Sequence, residues 1–213
     1  MKELMKTTNQ KYEITDIAHE QYPFLHRIRA LRDIGLEVKA GDLGGFVESE
    51  SNLSYEPDDD AWLFDNAVAC NGAYVDQGAS LRDCAVACDN AYISRNAVLS
   101  GYARAEDDSY IRGAVLSEHT RASGQSMILQ SATSKCAPVL SGQSAVYGKV
   151  SGDVRLTGMA VVVSGEEICN DTLDTLVISE KGRSVIRDPS RDELAPKETP
   201  RQQDKGKERG MSR

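Results

Sequence analysis

Three histidines, five cysteines and one run of carboxylates are the residues of this chain whose types could do chemistry. A general base must sit within reach of the proton it takes, and a histidine serves near neutrality because its ordinary pKa lies there. His26 stands beside Arg27 and Arg29, whose charge makes it a poor base unless it is buried or paired. His119, in Ser117-Glu118-His119-Thr120, reads as an exposed turn residue. These two are weak catalytic candidates, and no other residue stands out as catalytic. Cys70, Cys84, Cys88, Cys136 and Cys169 form no C-x-x-C pair and no Cys/His cluster at ligand spacing, so reduced thiols and no metal site are expected. Glu56-Pro57-Asp58-Asp59-Asp60 could attract calcium, but it lacks the regular oxygen spacing of a dedicated loop and reads as a solvated acidic loop. Gly41 to Gly45 lacks the phosphate-loop pattern G-x-x-x-x-G-K-[ST].

What would position these residues is a six-residue repeat. Alanine recurs at Ala61, Ala67, Ala73, Ala79, Ala85, Ala91, Ala97 and Ala103, and Ser109 continues the series. Two positions after each stands Leu63, Ala69, Val75, Leu81, Ala87, Ile93, Leu99, Ala105 or Ile111. Side chains alternate across a strand, so both members of each pair point to one side, the core. The Asp, Asn and Gly residues between them (Asp65-Asn66, Asn71-Gly72, Asp89-Asn90) supply corners, because they tolerate positive φ.

Taking every third hexad gives three ladders: Leu63, Leu81, Leu99; Ala69, Ala87, Ala105; and Val75, Ile93, Ile111. Three hexads per turn make a three-sided coil. One residue is missing between Ser109 and Ala114, yet Leu116, Ala122 and Ile128 resume the same walls, so the deletion reads as a tightened corner. After Ala132 the register weakens: Ser134 falls in a core slot and Pro138 in a small slot, while Leu140 and Val146 keep the phase. The expected fold is all-β, a triangular parallel β-helix at 44–165. It is preceded by an N-terminal β cap at 1–43 and followed by capping strands at 166–186 and a disordered charged tail at 187–213.

Composition narrows the partners. Residues 187–213 hold eight Lys/Arg and six Asp/Glu, which leaves 17 against 27 in residues 1–186, a net charge of −10. An acidic body argues against phosphate-backbone binding. No apolar run approaches a membrane span, and the first residues lack the apolar stretch of a secretory signal, so a cytoplasmic protein away from membranes is expected.

The stretch from Arg27 to Val75, with its arginine-rich strand, its Gly41-Asp42-Leu43-Gly44-Gly45-Phe46 turn and Trp62-Leu63-Phe64-Asp65-Asn66-Ala67, resembles the opening of the YdcK-type hexapeptide-repeat proteins of bacteria and their prophages. The resemblance covers residues 12 to about 165 and implies a left-handed coil. Members are often labelled transferases, a label that rests on fold analogy. Hexapeptide-repeat acyltransferases are similar in core pattern and work as acyl-CoA-dependent trimers with a catalytic histidine between subunits. Solenoids that hydrate carbon dioxide need three metal-binding histidines, where the repeats here hold one.

Outward residues fall into columns. Tyr74, Tyr92, Tyr110 and Met127 share the Ile/Val side and form the expected binding face. On the alanine side Val68, Val86, Arg104, Arg121 and Val139 align, with Cys70 and Cys88 stacked one position on; Val68, Cys70, Val86 and Cys88 make a candidate self-association strip. Trp62, Ser80, Val98, Val115 and Thr133 take the leucine side. The sequence therefore favours a non-enzymatic scaffold that binds a protein partner and needs no cofactor. The competing expectation is an acyl-CoA-dependent O- or N-acyltransferase.

Overall fold

A computed structural model describes residues 9–188. It is an all-β, three-sided parallel solenoid of about seven turns, and among the described residues the one helical element is the single 3-10 turn Glu50–Asn52. The three ladders are present as hydrogen-bonded neighbours. Leu63, Leu81, Leu99 and Leu116 pair in succession on one wall. Ala69, Ala87, Ala105 and Ala122 pair on the second, and Val75, Ile93, Ile111 and Ile128 on the third. All twelve are fully buried. Each aliphatic member stabilises the coil by roughly 1.5–3 kcal/mol relative to exposure.

The corners follow from residue type. Asp65, Asn71, Gln77, Asp83, Asp89 and Asp107 all take φ between 50° and 59°. Their side chains also tie the coils together. Asp65 accepts the backbone N–H of Asp83, Asp83 that of Gly101, and Asp89 that of Asp107, each from a residue 18 positions further on. A carboxylate on an otherwise unmatched corner N–H is a charge-assisted bond. The tightened corner lies at Gly113, φ 66°, where an added Cβ would meet the Gln130 side chain at 2.9 Å.

The N-terminal cap is a three-stranded antiparallel unit, β1 (Tyr12–Ala18), β2 (His26–Ala30) and β3 (Leu43–Val47). The Gly41–Phe46 segment, which reads as a turn in sequence, is largely strand: β3 pairs in parallel with Val68–Ala69 and so opens the first coil. Its glycines serve close approach. A Cβ on Gly44 would lie 2.7 Å from Ile28, Trp62 and the Leu63 carbonyl, and one on Gly45 2.3 Å from the Ala67 carbonyl.

Two expectations are corrected. Leu140 pairs with Leu116 and Val146 with Ala122, so both lie one wall away from where an unbroken six-residue count puts them. The extra hexad is a side loop, with Ala132 and Thr133 exposed. The Ser131 hydroxyl accepts the N–H groups of Thr133 and Ser134, which closes a local turn in place of a strand. Val139 therefore faces out from the leucine wall rather than the alanine wall, and Thr133 belongs to no column. The parallel ladders also run past residue 165: Ile168 pairs with Val150 and Ile178 with Leu156. Among the described residues past 165, only Gly182–Ile186 turns back, antiparallel to Thr175–Ser179, and closes the leucine-side sheet. Apart from Arg187 and Asp188, the segment expected as a tail lies outside the described residues.

Candidate binding faces

Strand pairing brings Tyr74, Tyr92 and Tyr110 into one vertical column continued by Met127. The rings stack with centroids 6.0 and 5.2 Å apart and planes 23° and 9° from parallel. Each tyrosine is half-buried, and Met127 is 37% exposed. Below Met127 the column ends in the ion pair of Lys149 with Glu167, 2.6 Å.

Ten residues rather than six separate Leu53, bridged to Val75, from Leu63, and the surplus is the acidic loop Glu56–Asp60. That loop stands beside Tyr74 and walls a depression of about 560 Å³ whose far side is Asp76, Gln77 and Asn96. The Tyr92 hydroxyl donates to Asp76 at 2.9 Å. Burial pushes the Asp76 carboxyl above the usual carboxylate range, and it pushes the Tyr92 phenol, together with Asp76, up to about 12. Asp59 behaves oppositely. Burial would raise it, but the N–H groups of Gly78, Ala61 and Gln77 donate to its oxygens at 2.8 Å and hold it below its ordinary value. The acidic loop is thus solvated, as its sequence suggests, with Glu56, Asp58 and Asp60 exposed, but Asp59 ties it to the Gln77–Gly78 corner of the next coil. Among the described residues no three His, Cys, Asp or Glu side chains converge to hold a metal ion.

The strip on the alanine side is only partly open. Leu25, at the entry to β2, and Phe46 of β3 pack over Val68, which is 8% exposed, with Cys70 and Val86 half-buried against them. The chain's own cap therefore covers the N-terminal end of the candidate self-association strip. The Cys88 thiol is raised to about 12 by burial and by Asp89. Beyond it, Arg104 and Arg121 both pair with the buried carboxylate of Glu106.

The weak catalytic candidates stay apart. His119 stacks flat on Tyr102, centroids 4.9 Å apart, at a corner. His26 lies in β2, paired with Ala18 and Val47. Among the described residues neither imidazole is held by a carboxylate. His19, which the sequence leaves without a role, accepts two backbone N–H groups at Nδ1 and packs edge-on to Phe46 at 4.8 Å, a structural turn. Sequence reasoning placed the tyrosine column but missed the depression beside it. The signal was the ten-residue interval before Leu63 and the 18-residue step from Asp59 to Gln77.

No protein-family model matches the chain, and no curated protein matches it.

Proposed function

We propose that this chain is a non-enzymatic scaffold that binds a protein partner through the Tyr74/Tyr92/Tyr110/Met127 face. The observation that carries the reading is the stacked tyrosine column. Three rings already held by their neighbours offer broad amphipathic area, and little rotamer entropy remains to be lost on binding. The β-solenoid beneath them is rigid because every coil shares its core with the next. In this reading the chain acts in the bacterial cytoplasm without a cofactor, as a YdcK-type hexapeptide-repeat protein of left-handed sense.

The test is site-specific photo-crosslinking in the producing cell, with a photoreactive phenylalanine at position 92 and, as control, at position 98 on the leucine wall. The proposal expects one defined protein adduct from position 92 and none from 98. Equal adducts from both positions, or none from 92, overturn it.

A further inference from the structure

We infer that the segment seated on the tyrosine face carries Lys or Arg at the end that lies over Tyr74. This rests on the reading of that face as a protein-binding surface and adds the chemistry of its occupant.

The face is electrically one-ended. At the Tyr74 end the acidic loop and Asp76 supply five carboxylates, those of Glu56, Asp58, Asp59, Asp60 and Asp76. Glu56, Asp58 and Asp60 are exposed. Two of the neighbouring cations are turned to other work, and exposed Arg95, next to the lining residue Asn96, is a single positive charge against these five carboxylates. Lys11 is fully buried and donates to the Ser54 carbonyl at 2.8 Å, and Arg32 donates to the Pro57 carbonyl. Neither lines the depression. At the opposite end Lys149 and Glu167 neutralise each other. A cation is thus attracted to one end of the column only, and Tyr74 supplies a π face there, a pairing that favours guanidinium or ammonium groups.

Geometry sets the occupant's length. From Tyr74 to Met127 the column crosses three inter-strand steps, about 14 Å at about 4.8 Å per step, which an extended segment of roughly four or five residues spans. Its basic residues lie over the depression, and apolar residues follow along Tyr92, Tyr110 and Met127. Asp76 contributes indirectly: by accepting the Tyr92 hydroxyl it fixes that ring's position in the column.

The probe is a fluorescein-labelled nonapeptide with two N-terminal arginines followed by apolar and small residues, compared with versions carrying glutamine or glutamate in place of arginine. Anisotropy titration of the full chain should show the arginine peptide binding at least tenfold tighter than the glutamine peptide and the glutamate peptide weakest. The E56Q/D58N double variant and, separately, Tyr74→Ala should each weaken the arginine peptide about tenfold. The D108N/D171N variant, which removes two carboxylates that flank the same sheet but do not line the depression, should leave it unchanged. Equal binding of arginine and glutamine peptides, an equal loss in the D108N/D171N control, or indifference to Tyr74→Ala overturns the inference. The crosslink from position 92 separates the two readings. An adduct whose contacting segment lacks Lys and Arg sinks the charge assignment and leaves the protein-binding face standing, whereas absence of any adduct removes both.

Discussion

The hydroxyls of Ser109, Ser126 and Ser144 are buried and have no hydrogen-bond partner among the described residues. Each occupies the small slot two places before a core residue, a slot that alanine fills, fully buried, at Ala61, Ala67, Ala73, Ala79, Ala85, Ala91, Ala97, Ala103 and Ala114. Alanine therefore fits without strain. An unsatisfied buried hydroxyl costs about 1–3 kcal/mol, and the void left by one oxygen returns only a few tenths. Each Ser→Ala change should stabilise the fold by about 1 kcal/mol. Ser109 and Ser126 are stacked neighbours, since the strands that follow them pair Tyr110 with Met127, so their effects are coupled; Ser144 lies on the alanine wall and adds independently. The triple variant should gain roughly 2–3 kcal/mol. At about 2–4 °C per kcal/mol for a chain of this size, its melting temperature should rise by roughly 4–12 °C. Differential scanning calorimetry reads the shift directly, and because solenoids can unfold coil by coil, the whole heat-capacity profile should be compared rather than its peak alone. A triple variant that melts at or below the parent temperature would refute the reasoning, because the hydroxyls would then be stabilising the coil.

Lys11 is lowered from its ordinary 10.5 to about 8, chiefly by burial and against the attraction of Asp59. Between pH 8 and 10.5 the unfolded chain binds the proton and the folded chain does not, so stability rises with pH across that window. Relative to Lys11→Met, the parent should gain up to roughly 3 kcal/mol from pH 7.5 to 10.5 in denaturant titrations, at about 1.36 kcal/mol per pH unit; a constant difference would contradict it. Cys169 is exposed while the Cys88 thiol is raised to about 12, so iodoacetamide at pH 8.5 should modify Cys169 well before Cys88, as peptide mass mapping would show. Deleting residues 131–136 joins Gln130 to Ala137, restores a six-residue step from Ile128 to Leu140 and should cost less than about 1 kcal/mol, whereas deleting 99–104 from an unbroken hexad series should abolish the cooperative transition. Circular dichroism and thermal melts of both deletions decide this.

The walls of the solenoid were legible because their residues differ by wall: Leu81, Ala87 and Ile93 announce three sides, and 17- or 18-residue steps carry each type through four coils. Past Ile128 that contrast fades. Val146 stands on the alanine wall and Val150 on the Ile/Val wall, so residue type no longer names the side, and the side loop shifted the count undetected. The Gly44-Gly45 pair misled for a different reason. Glycine marks both turns and close contacts, and only coordinates reveal that Ile28 and Trp62 press on this backbone. The tyrosine column followed from periodicity, but the acidic wall did not, because its position depends on Asp59 reaching the N–H groups of Gln77 and Gly78 in the next coil. The coverage of Val68 likewise needed the cap's tertiary packing, since Leu25 lies 43 residues before it in sequence.

The corner carboxylates that reach the next coil's backbone, Asp65 to Asp83 and Asp83 to Gly101, give the body a modular grammar. Within the run from Asp65 to Gly101 each coil carries the acceptor that the following corner requires, so duplicating or excising the coil between Asp65 and Asp83 leaves that junction chemically matched, whereas Gly101 has no side chain to pass the bond on. Evolution can therefore lengthen or shorten such a rod in fixed increments, altering how many partner residues its side engages while leaving unchanged the pitch at which they are engaged.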